Sequence, residues 1–347
     1  MNKKLLAAAL SAAFVAPAAL ADVTTYGVIN SSVEFAKATG ATTSSQDFKS
    51  VNRVTANNSR IGFKGWEDLG NGLKALFTLE YGLAVDANTG IGTGTATARQ
   101  QFVGLTGGFG TVVAGRLQTT GLDFAVASSA LGSSPALGAF NVVGTGSSIA
   151  TAAAKSVVNA GARASNAVAY ISPSFGGVTL AYNHARLSEA AATLVTNTSD
   201  DYANLVSASY AGGPVTAGLV YGKISVPSTA GSDDNTEWGV RAGYDFGVAK
   251  LQAAYQTSKD KAIGNGKDKK YVVSVSAPIG AKVGVIAEYA ALSQDKTAAA
   301  DDQKAWTLAS TYSLSKRTTA YAGVVQRNPE GGSNNVTTYA AGLRHSF

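Results

Sequence analysis

In the stretch Lys282-Val283-Gly284-Val285-Ile286-Ala287-Glu288-Tyr289, the residues Val283, Val285, Ala287 and Tyr289 fall on one side of an extended chain. Lys282, Gly284, Ile286 and Glu288 fall on the other. Period two is the mark of a strand with one apolar and one mostly polar face. Outward from there the pattern repeats. Tyr271, Val273, Val275 and Ala277 stand against Lys270, Ser274 and Ser276, and Val215, Ala217, Leu219 and Tyr221, then Leu251, Ala253 and Tyr255, do the same. Such segments run for about 9–11 residues, the length a tilted strand needs to cross the hydrocarbon layer of a bilayer. A soluble sandwich shows the same alternation, so the period alone leaves both architectures open.

Connection lengths discriminate between them. Short turns at 67–72, 106–110, 173–177, 212–214, 245–248, 278–281 and 314–316 alternate with longer stretches rich in Gly, Ser, Thr, Asn, Asp and Lys, such as 37–50, 188–200, 225–235, 259–268 and 293–303. Seven short and eight long connections with paired ends predict an all-β fold, a transmembrane antiparallel up-and-down β-barrel of sixteen strands. A closed barrel can stand in lipid because it pairs every backbone N–H and C=O and leaves no edge. Aromatic residues strengthen this reading. Tyr210, Tyr244, Tyr312 and Phe347 lie near the short turns, and Tyr81, Tyr182, Tyr221, Tyr255 and Tyr289 share the outward parity further up, as two interfacial girdles require.

Composition narrows the function classes. Only 14% of the residues are charged, against roughly 25% in ordinary soluble domains. Beyond the N-terminus no apolar run approaches the roughly 18 residues of a membrane-spanning helix. The chain has no Cys and two His, which excludes thiolate metal sites and cysteine nucleophiles and leaves little for imidazole-based zinc chemistry. Residues 1–21 read as a cleaved secretory signal peptide: Lys3 and Lys4, an apolar run from Leu5 to Val15, then Ala19-Leu20-Ala21 as the cleavage site. The barrel domain is then 22–347. Removing the leader takes two lysines from a chain of net charge +6, and the mild basicity that remains does not form the clustered stripe that nucleic-acid binding requires.

Several runs carry a family resemblance. They are Tyr26-Gly27-Val28-Ile29, Asn58-Ser59-Arg60-Ile61-Gly62-Phe63-Lys64-Gly65 continuing through Glu67-Asp68-Leu69-Gly70-Asn71-Gly72-Leu73-Lys74-Ala75, Phe102-Val103-Gly104-Leu105 with Phe109-Gly110-Thr111 and Gly115-Arg116, Ala164-Ser165-Asn166 with Tyr170-Ile171-Ser172-Pro173, and Gly342-Leu343-Arg344-His345-Ser346-Phe347. Together they resemble the general porins of Gram-negative outer membranes, most closely the β-proteobacterial trimeric porins. From 190 to 331 the match is architectural only.

The resemblance implies an outer-membrane, multi-pass channel for passive diffusion of small hydrophilic solutes and ions. It implies a homotrimer in contact with outer-membrane lipid and lipopolysaccharide, and no cofactor or metal. Small outward residues near the N-terminus, such as Gly27 and Ser31, suit contact between protomers. The alternating final strand with Tyr339, Leu343 and Phe347 on one face resembles the signal read by the barrel assembly machinery.

One connection, 118–162, is far longer than the others, and a loop this long in a compact meander is usually functional. It is the third long loop, and in the resembling family that loop folds into the barrel and narrows it. Phe124, Leu131, Leu137, Phe140 and Ile149 suit burial against a wall, and Thr151 to Val158 reads as a short helix. Arg60, Arg99 and Arg163 match the family's basic wall positions. Arg60 has inward parity with Gly62 and Lys64, opposite Ile61 and Phe63. Arg163 goes with Ser165 and Ala167, opposite Val168 and Tyr170, and Arg116 goes inward with Gln118, opposite Val113 and Gly115. The parity of Arg99 conflicts with Val103 and Leu105 unless a bulge intervenes.

Against these arginines the loop offers one acid, Asp123, and one further cation, Lys155, while Glu80 is inward with Lys74 and Thr78. Such a constriction leans toward inorganic and other small anions. Pairing with carbonyls or carboxylates is the competing structural role for the same arginines. Other motifs are thin. His184 near Asn183 and Arg186 lacks a hydrolase spacing, and Gly90 to Gly94 lacks the Lys and helix of a phosphate loop. The acidic pairs Asp200-Asp201, Asp233-Asp234 and Asp301-Asp302 read as divalent-cation ligands or solvated loop charges. A substrate-specific channel and an outer-membrane enzyme or adhesin remain as alternatives.

Overall fold

Val28 pairs with Ser346 and Thr39 with Asn335, so the first strand and the last lie side by side and the sheet has no free edge. This closure completes an antiparallel barrel in the computed structural model, which describes residues 22–40, 48–87, 98–132, 134, 136–143, 163–186, 202–228, 231–260, 266–295, 302–330 and 335–347. In chain order the elements are β1 (Asp22–Thr39), β2 (Phe48–Ala56), β3 (Arg60–Gly70), β4 (Leu73–Gly82), β5 (Ala98–Gly107) and β6 (Gly110–Gln118). Two short helices follow, α1 (Thr120–Val126) and α2 (Ala139–Val142). Then come β7 (Arg163–Ile171), β8 (Val178–Arg186), β9 (Tyr202–Gly212), β10 (Val215–Ser228), β11 (Gly231–Asp245) and β12 (Lys250–Asp260). The last five are β13 (Gly266–Ile279), β14 (Val283–Ser293), β15 (Gln303–Ser313), β16 (Thr318–Pro329) and β17 (Asn335–Ser346).

Seventeen segments make sixteen staves, because β2 and β3 are one stave interrupted at Asn57-Asn58-Ser59. Both pair with β1, β2 along Ser31–Ala38 and β3 along Asp22–Val28. At the break Asn58 takes a positive φ of 57°, a conformation that Asn tolerates better than most residues. The freed groups are satisfied locally: Asn57 N–H donates to the Asn30 carbonyl at 2.8 Å, and the Ser59 hydroxyl accepts from Asn30 N–H and donates to its carbonyl.

All seven short turns appear where the sequence places them. At the first, Asn71 and Gly72 have φ of 52° and 77°, the pair of left-handed residues that a two-residue hairpin of matching twist requires. The long side differs in three places: within 37–50, residues 37–39 belong to β1 and 48–50 to β2, with Ala38 opposite Phe48. Residues 225–235 read as a loop, but the β10–β11 ladder continues from Ser225 opposite Asp234 to Ser228 opposite Gly231. Within 259–268 the β12–β13 ladder likewise runs on to Asp260 opposite Gly266. Polar composition marks these stretches as loop-like because strands that rise above the lipid meet water on both faces and lose their apolar alternation. The leader 1–21, the cluster at Gly90–Gly94, Ile149, Lys155, the stretch Thr151 to Val158, the loop 188–200 and Asp200, Asp201 and Asp301 lie outside the described residues.

The two faces are inverted relative to a soluble domain. Leu219 is 57% exposed and Val103 63%, whereas Glu288 is 3% and Lys270 3%. Lipid-facing apolar side chains surround a polar interior. Tyr182, Tyr210, Tyr221, Tyr244, Tyr289 and Tyr312 are exposed on the outer face, and Tyr255 packs there on Trp238 at 5.5 Å between rings. Inside, the third long loop folds into the lumen. Phe124 of α1 packs on Val220 of β10, and Ala139, Phe140 and Val143 around α2 pack on Ala254, Val272, Ala290 and Ala305 of the wall. Leu137 and the half-buried Leu131 join Val325 and Ala340. Among the described residues of this loop the helices are at 120–126 and 139–142.

Candidate functional site

Strands β1, β3, β4 and β5 bring Tyr26, Arg60, Glu80 and Arg99 together at one place on the inner wall. Glu80 is buried and binds two guanidinium groups: Arg60 Nε lies 3.3 Å from Oε2 and Arg99 Nε 2.6 Å from Oε1. The Tyr26 hydroxyl donates to Oε2 at 3.1 Å. Arg99 reaches this cluster through a bulge, because Leu79 faces Gln101 but Tyr81 faces Ala98, which leaves one extra residue on β5. That bulge resolves the conflict of Arg99 with Val103 and Leu105.

Arg163 is the first residue of β7, and its Nη2 donates to Gln118 Oε1 at 3.4 Å. The Gln118 amide in turn donates to the Asp123 carboxylate of α1, so Gln118 mediates between the wall arginine and the loop acid. Burial pushes the Asp123 carboxyl up, while the Gln118 hydrogen bond and the Arg163 charge pull it down, and burial is the larger effect. Helix α1 is held in place at its start. The Thr119 hydroxyl accepts from Leu122 N–H at 3.2 Å as an N-cap, Thr120 N–H donates to Asn183 Oδ1 at 2.8 Å, and the Thr120 hydroxyl meets that of Ser207.

Two parity expectations change. Val113 and Leu117 are buried with Ala164, Ala167 and Ala169, whereas Val112 and Ala114 are exposed, so Val113 faces inward and Arg116 does not follow simple alternation. Arg116 instead binds the neighbouring strands, donating from Nε to the Ala98 carbonyl at 2.8 Å and from Nη1 to the Ser165 hydroxyl at 2.9 Å. On β7 a bulge with Asn166 at φ 52° puts Ala164, rather than Ser165, in phase with Ala167. Val168 and Tyr170 point outward as expected.

Across the lumen the loop is fastened to β13, β14 and β15. Ala130 N–H donates to Ser274 Oγ at 3.1 Å, Phe140 N–H to Glu288 Oε1 at 2.8 Å, and the Thr307 hydroxyl donates to the Leu137 carbonyl at 2.6 Å. The Lys270 ammonium lies 3.8 Å from the centre of the Phe140 ring. Sequence reasoning missed these fasteners together with Tyr26 and Gln118, although Glu288 stands on the polar face of the very stretch that decides the fold. Elsewhere, His184 Nδ1 shares a hydrogen bond with Asn204 Oδ1 at 2.9 Å. Asp234 pairs with Lys223 at 3.2 Å, and Asp302 accepts from Gln294 N–H at 2.7 Å. Among the described residues no group of three or more His, Cys, Asp or Glu is placed to hold a metal ion.

A lumen narrowed by an inserted loop and lined by paired charges is the architecture of a diffusion channel, and the model of the Gram-negative porin family matches residues 7–332. The chain belongs to that family. This porin is 33% identical to outer membrane porin protein 32 of Delftia acidovorans over 93% of its own length and 89% of that protein. It is 30% identical to an outer membrane porin protein of Bordetella pertussis, with both chains covered in full. Among solved structures it superposes on the anion-selective porin from Comamonas acidovorans with a TM-score of 0.77 and 25% identity, over 94% of this chain and all of that one. The porin is therefore a multi-pass protein of the Gram-negative outer membrane and a passive channel.

Proposed function

We propose that this porin passes small hydrophilic solutes and ions without turnover, prefers anions, and works as a homotrimer. The observation that carries the preference is the charge count at the constriction: Arg60 and Arg99 share the single carboxylate of Glu80, and the acid of the loop, Asp123, is engaged by Gln118. Guanidinium groups in a narrow, weakly screened passage raise local anion concentration and repel cations. The likeness to a porin named anion-selective supports the same reading. Residues 118–162 act as the constriction loop, with Arg60, Arg99, Arg163, Asp123 and Glu80 setting its field and Arg116 contributing from the wall beside them.

In the same reading 1–21 is a cleaved leader, and Tyr339, Leu343 and Phe347 present the outer-face pattern recognised during barrel assembly. The homotrimer follows from the family and from the closed symmetry usual in homo-oligomers. Reversal potentials in a KCl gradient across planar bilayers test the preference. Chloride is expected to be favoured at low salt, with the preference weakening as the screening length falls from roughly 30 Å at 0.01 M to 3 Å at 1 M. Cation selectivity at 0.01 M would overturn it, and cross-linking that yields only monomers in mild detergent would overturn the trimer.

A further inference from the structure

The wall of β11 carries another lumen cation outside the cluster around Glu80. Trp238, Val240 and Tyr244 of this strand are exposed toward lipid, so Glu237, Gly239, Arg241 and Gly243 face inward. Gly239 sets the height of the loop helix, because a Cβ there would fall 2.8 Å from two ring carbons of Phe124. Arg241 is one inward step nearer the short turn at 246–249. At the next step Gln252, opposite Gly243, donates to the carbonyl of Ala127 at the end of α1 at 3.3 Å. Arg241 therefore sits beside the constricting helix, between the levels at which Phe124 and Ala127 meet the wall.

Its side chain lies along the wall over Gly218. A Cβ at 218 would fall 2.7 Å from Arg241 Nε and 3.1 Å from Cγ and Cζ, so glycine there is what lets the guanidinium lie flat. Arg241 is half-buried. Among the described residues it forms no ion pair, and its Nε has no hydrogen-bond partner. The contrast with the constriction is one of compensation: Arg60 and Arg99 are held by a carboxylate and Arg163 by an amide that leads to one.

We propose that Arg241 is a second anion station, which receives small anions such as chloride as they pass the constricting helix and sets part of the ion preference of the channel. The inference rests on the reading of this porin as anion-preferring. An arginine has five N–H donors and stays charged at any working pH; the Nε of Arg241 is buried against the wall, so with no carboxylate beside it among the described residues the Nη donors and the charge are what a passing anion meets. One half-exposed guanidinium is no cage, so it attracts without trapping. Conduction needs just that: sites favourable enough to enter, weak enough to leave, and more than one of them.

The absence of cysteine from the chain makes a direct test possible. Arg241→Cys in the full-length porin introduces the single thiol, which a cationic or an anionic methanethiosulfonate reagent then modifies. Reversal potentials and single-channel conductance are recorded at about 0.05 M and 1 M KCl, and mass spectrometry scores the modification. The anion-to-cation permeability ratio is expected to fall by roughly twofold or more in Arg241→Cys, to recover with the cationic adduct and to fall further with the anionic one. These differences should fade at 1 M, where screening acts within about 3 Å.

Equal ratios for the two adducts at 0.05 M would overturn the station, as would a thiol that neither reagent reaches from the lumen. Should the cysteine variant fail to insert, Arg241→Gln and Arg241→Lys supply the same comparison, with the ratio lowered in the first and kept in the second. Equal ratios in those two variants would overturn it as well. The unmodified porin is recorded alongside: its own lack of anion preference would defeat the wider reading, whereas the station is judged on the difference between adducts.

Discussion

Glu80 sets how much positive charge the constriction presents, because it is the one carboxylate that both Arg60 and Arg99 touch. Glu80→Gln keeps the size of the side chain and removes its charge, so the anion-to-cation permeability ratio at low salt should rise by roughly two- to fivefold; an unchanged ratio would mean that ions do not pass this cluster. Arg60→Glu should move selectivity in the opposite direction with little change in the size cutoff. Asp123 adds a pH dependence whose sign follows from burial. Its carboxyl is pushed up from the ordinary value, so it takes up a proton earlier than a free aspartate does as pH falls, and the loop then loses its negative charge. Anion preference should increase on acidification, and Asp123→Asn should remove that component of a reversal-potential titration. Arg60 was legible in the sequence because inward parity and family position coincided there, Arg99 came from family position against its parity until the β5 bulge reconciled them, and Glu80 came from parity alone. The parity argument for Arg116 failed because β6 departs from strict alternation, with Val113 and Leu117 buried. Tyr26 and Gln118 were missed because a tyrosine and a glutamine in a strand carry no signal of what they will face across the barrel.

At the scale of elements the third loop is the working part and its fasteners decide whether it stays put. Phe140 is fully buried, packs on Ala254, Val272 and Ala290, and lies beneath the Lys270 ammonium. Phe140→Ala should cost about 3–5 kcal/mol of packing. That loss falls on the attachment of the loop, because barrel stability resides in pairing between strands that the change leaves intact. Noisier open-channel current and passage of larger sugars are expected, with the heat-stable mobility of the barrel kept; a quiet channel with the original cutoff would count against this division. Deleting 128–148 should raise conductance further for the same reason, and a loop that capped the outside would leave conductance unchanged. The place and length of this loop were readable from the sequence, since 118–162 interrupts the alternation between β6 and β7. The short helices at 120–126 and 139–142 were not, because so few residues show no helical period and are ordered by the wall they lie on; the stretch read as a helix, Thr151 to Val158, lies outside the described residues. The extended ends of β10 to β13 escaped for a related reason: above the lipid both faces are polar, and the period-two contrast that identifies a strand disappears.

For the whole molecule the decisive event is closure, and it converges on Gly27 and Phe347. Gly27 N–H donates to the Phe347 carbonyl at 3.1 Å and Phe347 N–H to the Gly27 carbonyl at 3.2 Å, so the last residue completes the ladder along β1. The Phe347 ring covers Gly27 on the outer face: a Cβ there would fall 2.3 Å from the ring and 2.7 Å from the Arg60 carbonyl oxygen of β3. From the sequence, Gly27 read as a small residue suited to another protomer. In the structure its smallness serves the seam, where three staves meet within van der Waals reach, a use that only the register reveals. The ring can move aside for a larger residue but the β3 backbone cannot without breaking pairs, so Gly27→Val strains the seam from within. Deleting Phe347 instead removes one pair of hydrogen bonds and uncovers Gly27, while it also removes the last of the outer-face positions after Tyr339 and Leu343. Gly27→Val should therefore lower the temperature at which the folded, fast-migrating species converts on a gel, even for protein refolded in detergent. The Phe347 deletion should chiefly lower the yield of barrel in the outer membrane, with a smaller effect on refolded protein. A deletion that inserts as well as the intact chain would place the assembly signal elsewhere, and a Gly27→Val barrel of unchanged heat stability would show that the seam tolerates what the register forbids.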